Sequence, residues 1–152
     1  MTMPDAGGWK GVQLVRGAAR LLRDLGHGVL TEFTLATGRR VDAIGVDGHG
    51  RIVVVEVKSC EADFRTDGKW HEYRPFCDAF YFAVPEAFPR VLLPDDAGLM
   101  VVDPWGGGVV REAPEHPLAA ARRKAMLIRF ARAAGARLHA VQDPEVAVHA
   151  RA

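Results

Sequence analysis

Three side chains in this sequence have the types and spacing to act together: Asp42, Glu56 and Lys58. Glu56-Val57-Lys58 closes an apolar run, Ile52-Val53-Val54-Val55. A β-branched run without polar alternation predicts a strand buried on both faces. Residues two apart on a strand project from the same face. The Glu56 carboxylate and the Lys58 ammonium therefore share one. Buried charges are costly unless paired or metal-bound. The triplet is thus either a self-satisfying ion cluster or part of a site, and Asp42, on the preceding predicted strand, favours the site.

Whether Asp42 can join depends on a turn. Asp47-Gly48-His49-Gly50 separates the two predicted strands. A three-residue loop, Gly48 to Gly50, pairs Asp47 with Arg51 and sets Asp42 opposite Glu56. Such loops often end in a left-handed residue, which suits Gly50. A four-residue loop turns Asp42 away. The three-residue register is expected. Two carboxylates that close repel one another without a cation. A hard divalent ion, Mg²⁺ or Mn²⁺, is the natural mediator, held by Asp42, Glu56, waters and a backbone carbonyl near Val57. Lys58 adds a positive charge beside it. Such a set suits phosphodiester hydrolysis: the metal acidifies bound water and neutralises phosphate, and lysine orients the nucleophile or stabilises the transition state.

The elements that must position these groups follow from periodicity. Residues 10–25 predict an amphipathic helix with Val12, Val15, Ala19, Leu22 and Leu25 as its apolar stripe and Arg16, Arg20 and Arg23 as a basic one. Gly26 or Gly28 ends it. Strands are predicted at 28–34, 40–46 and 51–58, a helix at about 67–77, and strands at 80–84 and 99–103. A short strand, Val109 to Arg111, follows Gly106-Gly107-Gly108, which reads as a flexible turn without the Lys-Ser/Thr of a phosphate loop. Pro117 opens a last helix, about 118–139, with Leu127, Ala131, Ala134 and Leu138 on one side and Arg122, Arg129 and Arg137 on the other. The order predicts an α/β sandwich with a mixed sheet.

The chain has 152 residues, 49% hydrophobic and 26% charged, as expected of one globular domain spanning 1–152 with an ordered core at about 10–142. No apolar run approaches membrane-spanning length and no secretory signal opens the chain, so no membrane partner and a cytoplasmic location are expected. Cys60 and Cys77 suggest neither a disulfide framework nor a zinc site. The net charge of +1 hides an asymmetry: residues 42–116 carry seven Lys/Arg against fourteen Asp/Glu, while both ends are basic. Basic ends around an acidic middle fit a metal centre flanked by phosphate-gripping surfaces. Solvated basic helix faces are the plainer account.

Asp42 followed by Glu56-Val57-Lys58 across a hairpin resembles the PD-(D/E)xK nuclease superfamily. The longer stretch from Glu56 through Ser59, Cys60, Asp63, Asp67, Lys69, Trp70 and Tyr73 to Cys77-Asp78 and Tyr81-Phe82-Ala83-Val84 is similar to the MmcB family of bacterial DNA repair proteins. The likeness runs over roughly residues 12–145. It implies a restriction-endonuclease-like sandwich, a central mixed β-sheet flanked by helices, and a role in the DNA damage response with DNA and other repair proteins as partners. Asp42 and Glu56 match the superfamily's metal ligands and Lys58 its catalytic lysine. Many members carry a further acidic residue in the first helix. Here that helix offers only Asp24, near its end, so Glu32 on the first strand is the substitute candidate, against an exposed edge residue.

The resemblance leads to a Mg²⁺-dependent DNA endonuclease, or to a non-catalytic DNA-binding or adaptor module on the same fold. Arg16, Arg20, Arg23, Arg122 and Arg129 are candidate DNA-backbone contacts, which position rather than specify. Arg40 shares the parity of Asp42 and joins them, whereas Arg39 is expected to face elsewhere. Lys69 is a phosphate or site-supporting candidate. Ser59 is expected to cap the next segment. Trp70, Tyr73 and Cys77 follow helical spacing and are expected in the core. The histidines show no ligand spacing.

Overall fold

The computed structural model describes residues 8–145, which form two compact units, one ending at Leu118 and one beginning at Ala119. The first unit is built on a six-stranded sheet. Its strands are β1 (Gly28–Thr34), β2 (Arg40–Val46), β3 (Ile52–Val57), β4 (Ala79–Val84), β5 (Gly98–Asp103) and β6 (Gly106–Arg111). They lie side by side in chain order. β1–β2, β2–β3 and β5–β6 pair antiparallel, while β3–β4 and β4–β5 pair parallel. The sheet is mixed, as expected, and β3 and β4 are buried along their whole length.

Helix α1 (Gly11–Asp24) covers one face of this sheet. Leu14, Ala18, Leu21 and Leu22 pack on Ala43, Val53, Val55, Val57 and Ala83. The apolar stripe therefore lies about a quarter-turn from the expected one. Val12 is 70% and Leu25 52% exposed. The reason is Gly17: a Cβ there would stand 1.6 Å from the Asp103 carbonyl oxygen, so the helix seats its small face against the β5–β6 end of the sheet. Gly26, at φ +93°, ends the helix.

The other face is covered by the connection between β3 and β4. It is not the regular helix expected over 67–77. A short helix, α2 (Glu61–Arg65), comes first, and a 3₁₀ segment, Trp70–Phe76, follows. Pro75 lies inside that segment, and its missing N–H and ring forbid an α-helical ladder there. Aromatic packing seats both pieces: Phe64 on Phe82, and Trp70 on Phe80 and Phe82, edge-on or stacked at 5.3–5.7 Å. Trp70, Tyr73 and Cys77 are buried, as expected. Cys60 is exposed.

Gly106 to Gly108 is not a turn but the first half of β6. The turn is Pro104-Trp105, where the Asp103 carboxylate accepts the N–H groups of Trp105 and Gly106. A Cβ on Gly107 would collide with the Val101 oxygen at 2.2 Å, so glycine permits this tight pairing. These layers make an open α/β sandwich, consistent with a restriction-endonuclease-like fold. The second unit holds α3 (Ala120–Gln142), on which Arg122, Arg129 and Arg137 are exposed. Leu138, expected in its apolar stripe, is 58% exposed. No described helix is long and apolar enough to cross a membrane.

Candidate functional site

The β2–β3 hairpin has the three-residue loop. Asp47 N–H donates to the Arg51 carbonyl oxygen at 3.1 Å, and Gly50 N–H donates to the Asp47 carbonyl oxygen. Gly50 takes φ +81°, and the Asp47 carboxylate accepts from the N–H groups of His49 and Arg51. The ladder Ala43–Val55, Ile44–Val54, Gly45–Val53 and Val46–Ile52 carries that register forward and sets Asp42 opposite Glu56. Both residues lie on the face away from α1, since Ala43, Val55 and Val57 face the helix.

Each carboxylate bonds a backbone N–H of the opposite strand. Asp42 Oδ2 accepts from Val57 N–H at 2.8 Å, and Glu56 Oε1 accepts from Asp42 N–H at 3.1 Å. Burial, offset in part by the Val57 N–H and by Lys58, raises the Asp42 carboxyl above its usual range. Burial and then the charge of Asp42 push Glu56 up to about 8. Both groups feel Lys58, whose ammonium is buried and paired with Asp67 Oδ2 at 2.7 Å. The other Asp67 oxygen accepts from Lys69 N–H at 2.8 Å, which fixes the partner. These contacts hold the Asp67 carboxyl below its usual range despite its partial burial.

Glu32 occupies the β1 position facing Asp42, between the pairs Thr31–Ala43 and Phe33–Val41. It is the one described non-glycine residue with positive φ, at 49°. Its charge contributes to the raised Asp42 carboxyl, so it lies within electrostatic reach. Among the described residues, no three His, Cys, Asp or Glu side chains form a group that could cage a metal by themselves. The hard oxygen donors at the site are the facing pair, Asp42 and Glu56.

An open cleft lies beside the pair, lined by Thr37, Arg39, Arg40, Asp42, Lys69 and Tyr73. Arg40 and Lys69 both line this cleft. Arg39 does not face elsewhere: it lines this cleft and bonds the Glu72 carboxylate through two nitrogens. The β1–β2 turn brings it there, with Leu35 N–H bonded to the Arg39 carbonyl oxygen and Gly38 at φ +88°. Arg16, Arg20 and Arg23 are exposed on α1, on the opposite side of the sheet from the carboxylates. Arg122 and Arg129 belong to the second unit. Ser59 is not the N-cap of α2, a position held by Cys60; its hydroxyl and N–H both bond Asp63.

Besides Arg39, two further site residues, Asp67 and Tyr73, are not legible as such in the sequence. Asp67 stands out there only as part of the longer family-like stretch, and Tyr73 only by the helical spacing of a core residue. Tyr73 lines the cleft, and burial followed by the charges of Glu56 and Asp67 pushes its hydroxyl up to about 12. A signal for Asp67 was present: a buried lysine demands a carboxylate, and Asp67-Gly68 is a natural turn a short way downstream.

The chain matches, over residues 7–145, a family model described as "DNA repair protein MmcB-like". Among solved structures it is similar to the SPO1766 protein of unknown function from Silicibacter pomeroyi. The two are 45% identical, with 90% of this chain and 94% of that one covered and a TM-score of 0.86. No curated protein matches the chain.

Proposed function

The chain belongs to the MmcB-like family of DNA repair proteins, and from that premise we propose that it is a Mg²⁺- or Mn²⁺-dependent endonuclease acting on DNA. The observation that carries this reading is the pair of facing carboxylates, Asp42 and Glu56, with a buried lysine on the same face. Their chemistry fits a divalent cation. Burial keeps both carboxyl groups raised, the charge of Asp42 adds to this at Glu56, and a dication bound between them would favour their charged forms. With two protein carboxylates the ion would keep several waters, as Mg²⁺ commonly does. Asp42 and Glu56 would hold it, with the Val57 carbonyl as a further donor, and it would supply phosphate charge neutralisation and a more acidic water.

The chain's own residues do the rest. Lys58, oriented by Asp67, presents positive charge beside the carboxylates. Arg40 and Lys69 grip phosphates along the cleft, and Glu32 adds negative charge on the Asp42 side. The test is a panel of branched, single-stranded and duplex DNA incubated with Mn²⁺. Lys58→Ala is expected to lose cleavage while keeping its circular-dichroism spectrum. Equal cleavage by this variant would falsify the proposal.

One observation favours a second reading, a non-catalytic DNA-binding or adaptor module in repair. Each carboxylate already accepts a backbone N–H from the opposite strand, so the pair also serves as a staple between β2 and β3. Thermal unfolding with Mg²⁺ or Mn²⁺ separates the two. A metal-dependent rise in Tm that Asp42→Ala abolishes belongs to the enzyme. An unchanged Tm belongs to the adaptor.

A further inference from the structure

The cleft beside Asp42 is cationic over a short distance and acidic over a longer one. Its walls come from the β1–β2 turn and the start of β2, which supply Arg39 and Arg40, and from the segment that supplies Lys69 and Tyr73. The Arg39–Glu72 ion pair ties these walls together. From Glu61 to Glu72 the same covering segment carries four acidic residues against two basic ones. The largest run of exposed arginines in this unit, Arg16, Arg20 and Arg23, lies across the sheet. Glu56 and Lys58 are recessed, at 6% and 8% exposure.

Duplex DNA presents one charge per about 1.7 Å of its axis, spread over two strands. Laid over this cleft, its second strand would lie along the 61–72 segment, whose Arg65 is already paired with Glu61 and which adds no cation beyond Lys69 free of such a pair. A single strand carries at most half that charge per unit length and needs only a few cations in a row. It also bends its backbone into a recess, which base-paired DNA does only at a deformation cost. We infer that the site takes DNA as a single strand: a flap, a gap or an unpaired end whose phosphates run past Lys69, Arg40 and Arg39 to the carboxylate pair. The inference rests on the proposal that this cleft binds DNA, but not on cleavage.

Fluorescence anisotropy tests it on the wild-type protein in EDTA, where no metal-dependent cleavage occurs. A labelled strand of about 20 nucleotides is expected to bind at least roughly tenfold tighter than the blunt duplex of the same sequence. The variant Arg40→Glu/Lys69→Glu is expected to lose most of that affinity. Its slope of log K against log salt should fall by about 1.4, two contacts at about 0.7 each. Equal or tighter binding of duplex, or binding of neither DNA, overturns the inference. A parallel incubation with Mn²⁺ keeps the two ideas separable. A single-strand preference without cleavage sustains this inference and overturns the nuclease. Cleavage inside blunt duplex overturns this inference and leaves the nuclease standing.

Discussion

Asp42 and Glu56 face each other at an energetic cost that pH exposes. The Glu56 carboxyl is raised from 4.5 to about 8 in the folded protein. Between those values the native pair holds a proton that the unfolded chain has released. Stability is therefore full below about pH 4.5 for this group and falls as pH rises toward 8, by at most about 1.4 kcal/mol per unit. Urea titrations of the metal-free protein across that window should show the decline, and Glu56→Gln should flatten it. Lys58 and Asp67 are coupled in the opposite sense. Removing one partner of a largely buried ion pair costs about 3 kcal/mol, because the other is left uncompensated. Asp67→Asn is expected to lose that much in urea unfolding, and Asp67→Asn/Lys58→Met to recover most of it. Glu32 carries a third cost, since φ +49° is unfavourable for a side chain with a Cβ. Glu32→Gly should raise stability by about 0.5–1 kcal/mol, measured by thermal unfolding.

At the scale of elements, α1 is held by the residue it lacks. A methyl on Gly17 would overlap the Asp103 carbonyl, so Gly17→Ala must lift the helix from the β5–β6 end. A loss of about 2–3 kcal/mol is expected, in the range of core overpacking, read as a lower midpoint in denaturant. That same contact explains why the helix was legible and its buried face was not. Periodicity locates apolar residues but cannot see that a glycine must point at a backbone oxygen. β1 to β3 were readable as strands, and the β2–β3 register because one loop of known length fixes that pairing; β4 and β5 were readable because they are continuous apolar runs. The covering segment was harder: a 3₁₀ turn through Pro75 places Trp70 and Tyr73 inward much as an α-helix would. The site was half visible. Asp42, Glu56 and Lys58 follow from strand parity, but Asp67, Arg39 and Tyr73 reach it through turns whose geometry no period encodes.

Taken whole, the charge distribution separates two surfaces. The cleft cations and the α1 arginines lie on opposite sides of one sheet. If DNA occupies the cleft, Arg16→Glu/Arg20→Glu/Arg23→Glu should leave binding within about threefold, whereas Arg40→Glu/Lys69→Glu should weaken it tenfold or more at equal salt. Anisotropy on both variants decides, and the reverse ranking would place the DNA on α1. The chain order of the sheet has a separate consequence, for synthesis. Each strand pairs with the one made just before it, so Asp42 and Glu56 can meet while the rest of the protein is still unmade. Until β4 emerges, however, the strand Ile52–Val57, buried on both faces in the finished protein and apolar except for Glu56, has an open edge. Nascent chains halted between Lys58 and Ala79 should be the most aggregation-prone lengths, and those extended past Val84 should stay dispersed.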